Sequence, residues 1–188
     1  MFSRIFGLLL FILLSPFFLI ISLIIYIDDG FPVIYRQQRL GKNNVKFTFY
    51  KFRTFKNKMS DIPTHLVKNP KEFYTRCGSF IRKLSIDELP QLFNIIKGNM
   101  AFVGPWPALH NQDDLVELRT RVDVHKLMPG VTGWAQVNGR DELSIPLKVQ
   151  FDEYYLKNRS WLLDLKIVFL TLLRVLGMKG VSHWRKCI

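Results

Sequence analysis

Hydrophobic positions gather at both ends of this chain and break into short periods between them. From Ile5 to Ile27 no residue is charged, and the run is long enough to cross a hydrocarbon core of roughly 30 Å as a helix. A cleaved leader fits poorly, because the run exceeds the usual apolar region of about 7–15 residues and no small-residue cleavage site follows it. Ser15-Pro16 falls near its middle. Proline there removes one backbone hydrogen bond and crowds the carbonyl four residues earlier, while the serine hydroxyl can re-satisfy a freed backbone group. On these grounds two topologies stay open: a kinked helix that spans, and a helix that dips into one leaflet and returns. The flanking charges, Arg4 before and Asp28, Asp29, Arg36, Arg39 and Lys42 after, do not choose between them.

Beyond this run, residues 33–35 and 45–50 read as short strands around a turn at Gly41-Lys42-Asn43-Asn44. Residues 59–71 are polar, contain Pro63 and Pro70, and read as an exposed loop. Helical patterning covers residues 72–83, 87–97, 112–121 and 152–156. Residues 101–107 are rich in turn formers, and Gly130, Gly133 and Gly139 punctuate what reads as a loop. In residues 161–176, Asp164, Thr171 and Arg174 share one helical side and Leu162, Leu165, Phe169, Leu172 and Leu176 the other. That is the pattern of an interfacial helix with Lys166 at its edge, able to snorkel. A core helix would read nearly the same, since Ile167 and Leu170 blur the polar side. The expected fold is α+β, mostly helical with a short β-hairpin, in one membrane-associated domain: residues 1–30 in the membrane and residues 31–188 as the body.

Charge bears on the partners. Lys and Arg number 27 against 15 acidic residues, a net charge of +12, which suits an anionic partner such as nucleic acid, acidic lipid or a nucleotide diphosphate without choosing among them, or simply a solvated basic surface. Cys77 and Cys187 have no redox or metal spacing, and His65, His110, His125 and His183 have none for zinc. A structural zinc site is not expected, and the sparse cysteines suit a reducing compartment.

The chemistry concentrates in Ser85-Ile86-Asp87-Glu88-Leu89-Pro90-Gln91-Leu92. Ser85 with Glu88 three residues on is a capping-box pattern, but Pro90 disfavours that register and places the helix start at Asp87. A carboxylate at a helix start is commonly a cap; it would also sit where the dipole favours its ionised form and attracts phosphate. Two adjacent carboxylates suit a magnesium-assisted phosphoryl transfer in which one of them attacks phosphorus. Candidate cations to meet a diphosphate are Lys51 and Arg53, which share a face if their segment is extended, together with Arg82 and Lys83 just before the carboxylates; either pair could equally be a solvated basic face. The loop from Pro129 to Arg140 offers Trp134 for stacking and Gln136, Asn138 and Arg140 as donors to a sugar nucleotide, or its glycines merely serve backbone geometry. No Walker loop, nucleophile elbow or dinucleotide fingerprint is present.

In order along the chain, Ser15-Pro16, Tyr50-Lys51-Phe52-Arg53-Thr54, Ile81-Arg82, the Ser85–Leu92 stretch, Lys97-Gly98, Val103-Gly104-Pro105, the Pro129–Arg140 loop and Asp152-Tyr154-Tyr155 resemble the bacterial sugar transferase family, the small monotopic phosphoglycosyl transferases. The resemblance covers nearly the whole chain. It implies a re-entrant helix at Ser15-Pro16 that keeps the protein on the cytoplasmic face of the bacterial inner membrane. It also implies Mg2+ at Asp87 and Glu88, a UDP-sugar donor, a polyprenyl phosphate acceptor and no role for nucleic acid. Asp87 would be the nucleophile that releases UMP and carries the phosphosugar, Glu88 would aid metal or proton handling, and Arg82 would bind phosphate; downstream glycosyltransferases would be its neighbours in a pathway. One departure stands out: Trp106 lies between Pro105 and Pro107, where the family usually has arginine. The competing expectations are a relative that has lost turnover and a membrane-anchored basic binding protein.

Overall fold

The computed structural model describes residues 2–56, 73–139 and 142–177. The polar stretch at residues 59–71, Glu72, Arg140, His65, His183 and Cys187 lie outside the described residues. The chain divides into two compact units, Met1–Gln37 with Phe49–Ile96, and Gln38–Thr48 with Lys97–Ile188.

In the first unit the apolar run forms α1 (Phe2–Asp29), which stays helical through Pro16. Pro16 has no N–H to offer the carbonyl of Ile12, and that carbonyl instead accepts the Ser15 hydroxyl at 2.8 Å. The Ser-Pro step is thus accommodated within the helix by a local side-chain repair. Phe18, Ile21 and Ile25 are buried along one stripe, whereas Leu9, Leu13, Leu19 and Ile27 are exposed on the remaining sides. Among the described residues α1 is the one helix long and apolar enough to cross a membrane, and its outward apolar surface suits a membrane anchor.

A hairpin follows, whose tip, Gln38–Thr48, belongs to the second unit and whose remaining residues belong to the first. Strand β1 (Ile34–Leu40) pairs with β2 (Lys46–Phe52) in a two-stranded sheet, and the turn between them uses Asn43 and Asn44 at positive φ, a conformation asparagine tolerates. The hairpin was legible, but β1 runs well beyond Tyr35, because pairing with β2 rather than apolar alternation holds its polar half. Helices α2 (Gly78–Lys83) and α3 (Gln91–Lys97) follow. Phe93 of α3 meets Phe11 with ring centroids 4.6 Å apart, Phe52 at the end of β2 meets Phe18 at 5.5 Å, and Arg4 donates to the Ile96 carbonyl at 2.9 Å. The far end of α1 is pinned twice. Arg53 donates to the Asp29 carboxylate at 2.6 Å and to the carbonyls of Asp29 and Gly30, and both the amide and the thiol of Cys77 donate to Asp28 at 2.9 Å.

The expected helix over residues 72–83 is corrected to six residues. Before it, Tyr74 pairs with Phe55 in an isolated antiparallel bridge and Arg76 and Cys77 form a turn, while Lys56 N–H bonds the Phe73 carbonyl and Thr75 N–H the Thr54 carbonyl, at 2.9 and 3.1 Å. Tertiary pairing overrides the local helical pattern there.

In the second unit β3 (Ala101–Val103) pairs in parallel with β4 (Gly130–Thr132), Ala101 opposite Gly130 and Val103 opposite Thr132. Both lie in stretches the sequence presents as turn or loop, as does α5 (Trp134–Asn138). Strands this short carry no readable period, and Gly130 is there for proximity: a Cβ on it would stand 2.1 Å from the Gly104 nitrogen. Helices α4 (Asp113–Arg121), α6 (Ile145–Asn158) and α7 (Trp161–Val175) complete the unit. Their core is Val103, Trp134, Ala135, Val137, Phe151, Tyr155 and Ile167. A buried ion pair, Arg119 with Asp152 at 2.5 Å, joins α4 to α6.

Helix α7 resolves an ambiguity left by its pattern. Its polar side faces the protein: Asp164 accepts the Tyr155 hydroxyl, Thr171 meets Thr132, and Arg174 donates to the Gln136 carbonyl. Ile167, which blurred that side, is fully buried, while Trp161, Leu162, Leu165, Phe169 and Leu172 are exposed. The apolar face points outward, opposite to the core helix that the same pattern allowed.

Candidate active site

Asp87 and Glu88 sit in a turn that the sequence placed at a helix start. Helix α2 ends as Ser85 adopts the left-handed conformation with φ 55°. The chain then makes one 3-10 turn, Ile86–Glu88, closed by Glu88 N–H to the Ser85 carbonyl and Leu89 N–H to the Ile86 carbonyl. Pro90 comes directly before α3, where its missing N–H costs nothing. Asp87 therefore does not cap a helix, and the dipole argument for its ionised form is replaced by a lysine.

That lysine is Lys51. Its Nζ lies 3.3 Å from Asp87 Oδ2 and 3.0 Å from Glu88 Oε1, with side-chain exposures of 19% for the lysine, 4% for Asp87 and 11% for Glu88. Two carboxylates share one cation in a place nearly shut off from solvent. Burial pushes the Asp87 carboxyl above the ordinary carboxylate range, Lys51 pulls it back, Glu88 raises it and Arg82 lowers it. The result is a carboxylate whose charge depends on nearby cations, a condition that suits a nucleophile working on an anionic substrate.

The sequence-selected residues divide three ways. Lys51, Asp87, Glu88 and Arg82 are brought together in the first unit. Arg53 is not directed at the carboxylates; its guanidinium closes the end of α1. Gln136 and Asn138 belong to α5 of the second unit, where Asn138 donates to the Trp134 carbonyl at 2.7 Å and the Gln136 amide is buried beside Gly133. Trp106 offers its carbonyl to Arg119 at 2.8 Å. Sequence reasoning missed Asn94, fully buried, whose Oδ1 accepts the Tyr50 N–H at 3.2 Å and so fixes the strand residue before Lys51. No local signal marked it, because its partner Tyr50 lies 44 residues away in sequence.

Among the described residues no group of three or more His, Cys, Asp or Glu is clustered to hold a metal ion. The pair Asp87 and Glu88 nevertheless fits magnesium, which takes one or two carboxylates and completes its shell with water and substrate phosphate.

The model of the family described as bacterial sugar transferase matches residues 1–178. The chain belongs to the bacterial sugar transferase family. Among its relatives, the uncharacterized sugar transferase EpsL of Bacillus subtilis (strain 168) is 41% identical over 162 residues, covering 85% of this chain and 78% of that protein. The exopolysaccharide production protein ExoY of Rhizobium meliloti (strain 1021) is 36% identical over 184 residues, 90% of this chain and 81% of that one. The UDP-glucose:undecaprenyl-phosphate glucose-1-phosphate transferase of Escherichia coli (strain K12) is 37% identical over 174 residues, 88% of this chain and 37% of the longer relative. The transferase is thus similar over most of its length to small relatives and to one part of larger ones.

Proposed function

We propose that this transferase moves a sugar 1-phosphate from a UDP-sugar to a polyprenyl phosphate at the cytoplasmic face of the bacterial inner membrane, an early step of surface polysaccharide assembly. The observation that carries the reading is the buried Asp87–Glu88 pair held by Lys51 with Arg82 in charge range, in a chain whose relatives include transferases named for undecaprenyl phosphate.

In this reading an Asp87 carboxylate oxygen attacks the sugar-bearing phosphorus, the bond from that phosphorus to the bridging oxygen breaks, and UMP departs with the electron pair. A phosphate oxygen of the polyprenyl acceptor then attacks the same phosphorus, frees the Asp87 carboxylate and yields a polyprenyl diphosphosugar. Lys51 exchanges its carboxylate partners for diphosphate oxygens, leaving Asp87 free to react, and Arg82 supplies a second positive charge. Magnesium, held by Asp87 and Glu88, would neutralise diphosphate charge when bound. In this reading α1 anchors the chain in the membrane, re-entering from the cytoplasmic face as the family resemblance implies, and the outward apolar face of α7 would rest at the lipid surface, close to a membrane-borne acceptor.

The test uses purified protein in lipid nanodiscs with magnesium and undecaprenyl phosphate, and follows UMP across a panel of UDP-sugars. Wild type should release UMP with one of them and Asp87→Asn should not. Binding of donor with no UMP from a folded wild-type chain would replace this reading with a relative that has lost turnover.

A further inference from the structure

An aromatic pair on either side of residues 57–72 is organised around Arg82. Phe55 and Tyr74 face each other across an isolated antiparallel bridge, and their rings stack with centroids 4.7 Å apart and planes 15° from parallel. The guanidinium carbon of Arg82 lies 5.3 Å from the Phe55 centroid and 5.8 Å from that of Tyr74, within the range at which a cation is drawn to an aromatic face. No carboxylate forms an ion pair with Arg82 among the described residues. A cation–π contact uses the charge and leaves N–H donors for an anion.

The arrangement is held from both directions. The bridge is flanked by the hydrogen bonds of Thr54 with Thr75 and of Lys56 with Phe73. Helix α2 starts hard against it: a Cβ on Gly78 would stand 2.1 Å from the Thr54 carbonyl oxygen and 2.7 Å from Thr75 Oγ1. Arg82 follows Gly78 by four residues, so both lie on the helical face turned to this ladder. The same guanidinium is near enough to Asp87 to lower its proton affinity. Stack, ladder, glycine contact and arginine form one assembly that ends beside the carboxylates.

We propose that the Phe55–Tyr74 stack is a positioning platform that sets the Arg82 guanidinium to receive a diphosphate oxygen. The inference rests on the phosphoryl-transfer reading for its substrate, while the platform itself is testable without turnover. The rings touch no reacting atom; they act through Arg82, by restricting its rotamers before the anion arrives, which lowers the ordering cost of binding.

The test measures inorganic pyrophosphate binding by calorimetry, and kcat and KM for the UDP-sugar, on the full chain in nanodiscs. Tyr74→Leu should weaken pyrophosphate binding and raise the donor KM by roughly 3- to 30-fold, and Tyr74→Phe, which keeps the ring, should bring both back to within about twofold. With Arg82→Gln as background, Tyr74→Leu should add nothing, because the two changes remove one interaction. Equal pyrophosphate affinity in wild type and Tyr74→Leu, additive losses in the double variant, or no pyrophosphate binding by wild type would each overturn the platform. Ring-dependent pyrophosphate binding in a protein that turns over no UDP-sugar would sustain the platform and sink the transferase reading alone.

Discussion

Lys51→Met keeps the length of the side chain and removes the cation that two buried carboxylates share. At an effective dielectric constant near 20, unit charges 3.0–3.3 Å apart attract by about 5 kcal/mol per pair before desolvation is counted. The net loss on breaking a buried pair from one side is about 3–5 kcal/mol, because the abandoned charge stays buried. Here protonation limits the damage. Lys51 lowers the proton affinity of Asp87, so without it Asp87 takes up a proton at a higher pH. The sign follows: Asp87 already holds its proton more tightly than a free aspartate, so ionising it costs folded-state stability as pH rises, and the variant increases that cost. Near pH 8 the variant should unfold well below wild type in a thermal scan, and the gap should narrow toward pH 5 as Asp87 takes up its proton. The acid limb of kcat/KM for UMP release should move to higher pH, and the plateau should fall by about 10²- to 10³-fold from loss of a cationic phosphate contact. An unchanged acid limb together with a thermal gap that is the same at pH 5 and pH 8 would refute the assigned coupling of Lys51 to Asp87.

Glu88→Gln tests the other neighbour with the opposite sign. Glu88 raises the Asp87 proton affinity, so its neutral analogue should move the acid limb of the same profile to lower pH; movement upward would contradict the described charge geometry. In the second unit, Asp152→Ala should leave Arg119, 7% exposed, without its carboxylate and cost about 3–5 kcal/mol. A thermal scan in nanodiscs should show the transition lowered by about 6–20 °C, and an unchanged transition would contradict the role given to this ion pair.

What the sequence determined by itself was whatever a local pattern can carry. An uncharged apolar run specified α1, and a serine next to its proline named the hydroxyl that bonds Ile12. Asparagines at a turn between β-rich stretches specified the hairpin, and adjacent carboxylates near basic residues named the core of the candidate site. Tertiary structure decided the rest. Lys51 and Asp87 are far apart in sequence, and only the packing of β2 beside the turn after α2 makes them one ion cluster. Lys51 and Arg53 looked equivalent on an extended segment, yet one meets the carboxylates and the other the end of α1. Strands β3 and β4 exist through each other, since three residues have no period and their backbone bonds are closed across 29 positions of chain from Ala101 to Gly130. The orientation of α7 was undecided for a related reason: helical periodicity separates two faces, but it does not say which of them finds Tyr155, Thr132 and Gln136 to bond. A polar face turns inward only where the fold has already placed partners for it, and that is a property of contacts between distant segments.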